Sequence, residues 1–227
     1  PARADAPAPS TASPAPAGQP EPMQTPSRYR VAMPPTVTLL YELRDAKGGT
    51  SDASLSWQTD GVQYRMTLDG ILGRIDSEGG TDDAGIAPQR ATYAYGAGSA
   101  SVAFDRERRA IVFESLGRSA QDLPGSQDGA TMLMQLAGIG LADPDQLQEA
   151  VEIYVGRADA ATVERYQVIG QERIATPLGE LDTLHLARQG KLQLEIWLAP
   201  QQGWLPVQLR AGGRTQVVKE IRNAPAG

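Results

Sequence analysis

Cysteine is absent from this 227-residue chain, histidine occurs once and phenylalanine twice. Without cysteine there is no disulfide and no thiol nucleophile. A single imidazole cannot build the usual ligand sets of zinc or other transition metals. No apolar run approaches the roughly 18 residues of a membrane-crossing helix. Positive charge is scarce as well. Lys and Arg total 21 against 27 Asp and Glu, a net charge of −6, and the densest basic stretch is Arg106-Glu107-Arg108-Arg109. A face that displaces counterions from nucleic acid, or a polybasic membrane anchor, is therefore not expected. There is no P-loop and no Gly-x-Ser-x-Gly elbow, and Gly96-Ala97-Gly98 lacks the strand–turn–helix setting of a dinucleotide fingerprint. The acidic stretch Asp76–Asp83 does not follow the alternate-position spacing of a calcium loop.

Proline is unevenly spread. Residues 1–28 hold eight of the 17 prolines, seven alanines and one large apolar side chain, Met23. Such a segment buries too little to offset its ordering entropy, so it reads as an extended, mobile arm. Residues 29–227 then form one β-rich domain. A Pro/Ala arm that starts at a residue other than Met fits an exported protein whose signal peptide or membrane anchor has been removed. A cytoplasmic protein with a disordered start is the alternative.

Alternation dominates from Tyr29 onward. Val37, Leu39, Tyr41 and Leu43 share one face, as do Ala53, Leu55 and Trp57 before an Asp60-Gly61 turn. Val62, Tyr64, Met66 and Leu68 continue the pattern. Further strands are expected at 74–77, 91–95, 101–104, 109–115, 151–155, 163–169, 181–188 and 215–222. A closing hairpin is expected over Leu192–Leu209, with Leu192, Leu194, Ile196 and Leu198 alternating in its first strand and Leu205, Val207 and Leu209 in its second. Gly48-Gly49, Gly79-Gly80, Gly170 and Gly212-Gly213 read as turns. With helix scarce, a long sheet that is apolar on one face must curl on itself. The fold class expected is mainly β: a single antiparallel, strongly curved β-barrel, closed or unclosed, with one buried helix.

That helix is read between Ser126 as N-cap, Asp128 in the first turn, and Gly138 and Gly140 flanking its end. Met132, Leu133, Met134, Leu136 and Ile139 make it apolar almost all round, which requires burial. Methionine adapts to varied apolar shapes. Met132, Leu133, Met134 and Leu136, together with Tyr64 and Met66, are therefore the candidate ligand-binding set, lining an apolar pocket under the curled sheet.

Catalytic candidates are thin. His185 shares a strand's polar face with Thr183, and an exposed strand histidine, with Glu195 as a conceivable cross-strand partner, is the expectation. Carboxylate pairs of the glycosidase kind are available only because acids are numerous. Trp57, Trp197 and Trp204 could stack on a sugar. Trp57 shares the apolar face of its strand, whereas Trp197 lies on the face of Gln193 and Glu195 and needs a cover. No residue is assigned to catalysis or to metal, and no cofactor is expected.

Several short pieces occur together in order. They are Ser54-Leu55-Ser56-Trp57 with Asp60-Gly61 and Tyr64; Ser77-Glu78-Gly79 with Gly85-Ile86-Ala87-Pro88; and Gln127-Asp128 with Gln135-Leu136. Thr176-Pro177-Leu178-Gly179, His185-Leu186-Ala187-Arg188 and Trp197-Leu198-Ala199-Pro200 with Leu205-Pro206-Val207 follow. Through them the region from Thr36 to Val218 resembles a proteobacterial family of exported proteins known as domain of unknown function 3108. The resemblance implies a periplasmic β-rich domain and brings no activity or catalytic residue. It is also distantly similar to curled-sheet proteins that handle lipids and lipoproteins in the bacterial envelope, a likeness of architecture alone. The function expected is a non-enzymatic periplasmic binding protein with a lipid- or lipoprotein-like ligand or an envelope protein partner. The alternatives are a structural or interaction module with a solid core and, last, a carboxylate-dependent hydrolase.

Overall fold

A computed structural model describes residues 26–190 and 192–225. Residues 1–25, most of the Pro/Ala arm, lie outside the described residues. Among the described residues fifteen strands form one sheet. The first eight are β1 (Val37–Arg44), β2 (Thr50–Thr59), β3 (Gln63–Gly70), β4 (Gly73–Asp82), β5 (Gly85–Tyr95), β6 (Gly98–Asp105), β7 (Ala110–Phe113) and β8 (Arg118–Gln121). After β9 (Gln127–Asp128) comes the helix α1 (Thr131–Ala142). The remainder are β10 (Ala150–Gly156), β11 (Ala161–Thr176), β12 (Gly179–Arg188), β13 (Leu194–Ala199), β14 (Leu205–Ala211) and β15 (Arg214–Asn223).

The order across the sheet is β8-β7-β6-β5-β4-β3-β2-β1-β15-β14-β13-β12-β11-β10-β9. Neighbours are antiparallel except β9 and β10, which run parallel. Chain succession thus becomes spatial succession, with β1 and β15 zipping the two halves together. Alternation does what period 2 demands: Val37, Leu39 and Tyr41, and likewise Tyr64, Met66 and Leu68, are buried, while their neighbours are more exposed. Val62 departs from the pattern. It sits in the turn before β3 and is exposed.

The sheet curls until its two ends meet around α1. The Tyr93 hydroxyl of β5 donates to the Gly156 carbonyl of β10 at 2.8 Å and accepts from the Gly129 amide at 2.8 Å. The Tyr154 hydroxyl of β10 donates to the Gln121 carbonyl at the end of β8. These are side-chain links, and the edge strands β8 and β9 form no ladder with each other. The result is a strongly curved sheet that stays open.

The helix fills the interior. Every residue from Thr131 to Gly140 is buried, which for the larger apolar side chains is worth roughly 1.5–3 kcal/mol each. Gln135 fastens it to the start of β5: its Nε2 donates to the Ala84 carbonyl at 2.8 Å and its Oε1 accepts from the Ile86 amide at 3.0 Å. Gly138 and Gly140, expected to flank the helix end, lie inside it. They are there for close approach. A Cβ on Gly138 would come within 2.7 Å of the Ala32 carbonyl oxygen, and one on Gly140 within 2.5 Å of the Trp204 ring. The segment before β1 crosses here as a strap. The Ala32 amide donates to the Gly138 carbonyl at 2.9 Å, and the Trp57 indole donates to the Pro34 carbonyl at 2.9 Å.

Two other readings change. Gly79-Gly80 lies within β4, beside a bulge in β5, and the true turn falls between Asp82 and Gly85. Gly170 marks a bulge inside β11, which runs on to Thr176. Beyond that bulge the β11–β12 hairpin outruns β10. It bends far enough for β11 to reach β15, four places away in the sheet. Four flat interstrand spacings would keep those strands roughly 19 Å apart.

Candidate functional site

The six side chains expected to line an apolar pocket all belong to one buried apolar cluster. Met132, Leu133, Met134 and Leu136 have no exposed surface, and Tyr64 and Met66 retain 3% and 2%. Tyr64 stacks on Trp57, with ring centroids 4.9 Å apart. The crevice beside α1, lined by Gln135 and Ile139 with Tyr29 and Tyr154, holds only about 20 Å³, room for about one water. The clefts that take in Tyr64 and Met66 lie elsewhere. One of about 560 Å³ runs past Thr36, Gln58, Asp60, Gln63 and Tyr64. Another of about 430 Å³ runs past Arg65, Met66, Thr67 and Ser77. Both are rimmed mostly by polar side chains.

What the sequence did not reveal is a buried polar knot at the entry of α1. Asp128 accepts through Oδ1 from the amides of Ala130 and Thr131, both at 2.8 Å, and through Oδ2 from the Ser77 hydroxyl. The Thr131 hydroxyl accepts from the Asp128 amide at 3.1 Å. Ser77 in turn shares a 2.9 Å hydrogen bond with the Tyr64 hydroxyl. Asp128 therefore serves the free helix amides, the role expected of Ser126. Ser126 instead donates to Asp122, beside Arg106. Complete burial raises the Asp128 carboxyl above the ordinary carboxylate range, although its hydrogen bonds oppose the shift. Burial, with the charge of Asp128 behind it, also pushes the Tyr64 and Tyr93 hydroxyls up.

A second knot lies on β11. Glu164 has no exposed side-chain surface and is gripped by Arg157 through two bonds of 2.7 and 2.8 Å. The Tyr166 hydroxyl donates to it at 2.6 Å. Every oxygen is engaged, as a buried carboxylate requires. The first knot joins strands to the helix and the second joins β11 to the loop after β10, and the carboxylates of both are turned inward, with Asp128 and Glu164 buried.

His185 is not the solvated histidine expected. Its side chain is 12% exposed. Nδ1 lies 3.2 Å from Glu172 Oε2, Nε2 lies 3.0 Å from Glu195 Oε1, and the ring stacks on Trp197 at 4.1 Å. Here too is the cover that Trp197 needed. His185 takes one side of the indole environment, the Arg210 guanidinium sits 5.0 Å from the ring, and the indole N–H donates to Glu172 at 3.0 Å. Glu172 belongs to the bent part of β11, so this cluster pins the hairpin down. His185→Ala should cost about 1–2 kcal/mol in a urea melt, through the lost stack on Trp197 and the lost contacts to Glu172 and Glu195, which keep only the indole N–H and Arg210. A loss under about 0.5 kcal/mol would show the contacts to be incidental.

The pieces that carried the resemblance meet in space. Ser77 bonds Asp128, Gln127 donates to the Ile86 carbonyl at 2.7 Å, and Gln135 clasps Ala84 and Ile86. A family model for a protein of unknown function, DUF3108, matches residues 41–215. The chain belongs to the DUF3108 family. No curated relative matches it. Among solved structures this DUF3108 chain is similar to Pseudomonas aeruginosa MucB, solved in a MucA/MucB complex. Identity there is 14% and the TM-score 0.32, over 85% of this chain and 53% of that one. It is also similar to a Bacteroides fragilis NCTC 9343 protein with a YmcC-like fold. There the identity is 8% and the TM-score 0.33, over 87% of this chain and all of the other. The chain spans about half the length of the MucB chain. Among the described residues no helix is long and apolar enough to cross a membrane.

Proposed function

We propose that this DUF3108 domain is a non-enzymatic binding module of the bacterial periplasm that recognises an envelope protein through its surface. One observation carries the reading: α1 occupies the interior, with Thr131–Gly140 buried throughout. The space an acyl chain would need is taken by the protein's own side chains. The polar knots spend their ionisable groups on joining elements, which supports a binding role over a catalytic one. The periplasmic setting rests on the family resemblance.

Native mass spectrometry of the protein purified from its own host's periplasm tests this reading. The expected result is a complex whose extra mass is a polypeptide. A stoichiometric lipid adduct would overturn it and restore Met132, Leu133, Met134, Leu136, Tyr64 and Met66 as a ligand-binding set on a helix that moves.

A further inference from the structure

We infer that the cleft between the β11–β12 hairpin and the turn following β13 binds a neutral oligosaccharide. Strands β12 and β13 pair only from Leu184 opposite Leu198 to Arg188 opposite Leu194. Beyond that point β12 continues back to Gly179 while β13 ends in a 3₁₀ turn at Pro200–Gln202. The sheet splits, and the split opens a cleft of about 400 Å³ lined by Trp204 and Leu184 together with Gln171, Asp182, Thr183 and Gln201. A second space of about 270 Å³ shares Arg173, Asp182 and Gln201 and extends to Gln202 and Glu180. The two together make a path rather than a pit, which suits a chain of sugar rings.

Trp204 decides the chemistry. Trp57 and Trp197 are buried at 0% and 1% exposure, whereas Trp204 remains partly open. One face of its indole lies against the backbone at Gly140, where the absence of a side chain lets the ring rest on the helix. The ring also borders the cleft. The residue holds a φ of 60°, in the left-handed region that a bulky side chain rarely adopts. Its amide donates to the Ala199 carbonyl at 2.9 Å, fixing that conformation. Strain of this kind persists where the surroundings over-determine it, often at a binding site. The outcome is a rigid aromatic platform at the edge of a polar cleft.

The rest of the lining fits a polyhydroxylated, uncharged ligand. Its one cation, Arg173, is shared between two carboxylates, and a third carboxylate, Glu172, has neutral partners. Arg173 bonds Asp182 at 2.8 Å and lies 3.9 Å from Glu180, while Glu172 is held by Trp197 and His185. The surplus of carboxylates repels an anionic ligand, and their oxygens are left to accept from hydroxyls. Gln171 and Gln201 make no side-chain hydrogen bond among the described residues and offer amide donors and acceptors. A pyranose presents apolar C–H faces and an equatorial belt of hydroxyls. The first stack on an indole and the second bond planar amides and carboxylates. An extended peptide is the weaker fit, because the Arg173–Asp182 and Arg173–Glu180 pairs guard the hairpin's unpaired edges.

The test is a titration of the folded protein with chitohexaose, cellohexaose and maltohexaose, followed by tryptophan fluorescence and calorimetry. At least one should saturate with a dissociation constant of about 1 mM or tighter, and high salt should not weaken it. Trp204→Ala should weaken binding tenfold or more. Because that variant also disturbs the contact with Gly140, the double variant Gln171→Ala/Gln201→Ala, at exposed positions, should weaken binding several-fold with an unchanged melting temperature. Failure of all three sugars to saturate would overturn the assignment, as would binding that survives both variants. Random-library peptides that shield Trp204 while no sugar binds would give the cleft to a protein segment instead. The sugar titration reads this cleft and native mass spectrometry reads a bound polypeptide, so either proposal can fail alone.

Discussion

Leu136→Ala is expected to lower the unfolding free energy by about 2–5 kcal/mol, read as a drop in the urea midpoint at constant slope. Leu136 has no exposed surface and sits on a helix that packs against β5, β9 and β14. Removing its isobutyl group leaves a void that its neighbours cannot close. The helix is pinned by Gln135 on one side and by the strap at Ala32 on the other. Adding a long-chain fatty acid should not restore the loss. If α1 were a mobile lid, the same change would cost under about 1 kcal/mol, and fatty acid would raise the melting temperature of the wild type in proportion to the logarithm of its concentration. That result would displace the protein-partner reading in favour of an apolar ligand. Met134→Leu, which conserves volume, is the control and should cost under about 1.5 kcal/mol.

Much of this fold was legible because a sheet with one dry face writes its period into the sequence. Val37, Leu39 and Tyr41 announce β1 without ambiguity, and the all-round apolar run from Met132 to Ile139 announces a buried helix. What failed were features whose cause lies in a distant segment. Glycine reads locally as a breaker, yet Gly138 and Gly140 stay helical because Ala32 and Trp204 press on the helix from elsewhere. Gly79 remains in a strand because Ala87 and Gln89 approach it across a bulge. The short β8 and β9 carry too few residues to show a period, and the parallel pairing of β9 with β10 has no sequence signal at all.

The candidate site was less legible still. Trp197 could be recognised as an aromatic in need of a cover, but nothing local named His185 as that cover. Their closeness depends on the β12–β13 register, which sets the two directly opposite each other. Asp128 could be read as an acid at a helix start, which is correct in kind. Its burial could not be read, because that comes from Ser77 on β4 meeting it through the curl of the whole sheet. Trp204 carried no mark distinguishing it from the other two tryptophans. Its exposure follows from the parting of β12 and β13.

Asp128→Ala should cost about 3 kcal/mol, since it removes the acceptor of two helix amides and leaves the Ser77 hydroxyl only Tyr64 as a partner. Asp128→Asn separates hydrogen bonding from charge. The amide oxygen still accepts from Ala130 and Thr131, and its NH₂ donates to Ser77, whose hydroxyl turns toward Tyr64. The wild-type carboxyl is raised in the folded state by burial, whereas in the unfolded chain it titrates near 3.9. Well below that value it is protonated in both states, and its contribution to stability is complete. As pH rises, the unfolded chain releases this proton first, so the contribution falls until the folded carboxyl has also ionised, and is flat beyond. Exposed carboxylates such as Asp60, Asp182 and Glu220 are shifted down by their hydrogen bonds and slope the other way. The difference between the two proteins therefore isolates position 128. Denaturant melts at a series of pH values from about 4 upward should show Asp128→Asn gaining on the wild type with rising pH and then holding a constant lead. A lead that shrinks with rising pH would mean that the bonds from Ser77, Ala130 and Thr131 outweigh desolvation. The buried carboxylate would then be a stabilising anion at the helix entry rather than a charge the fold tolerates.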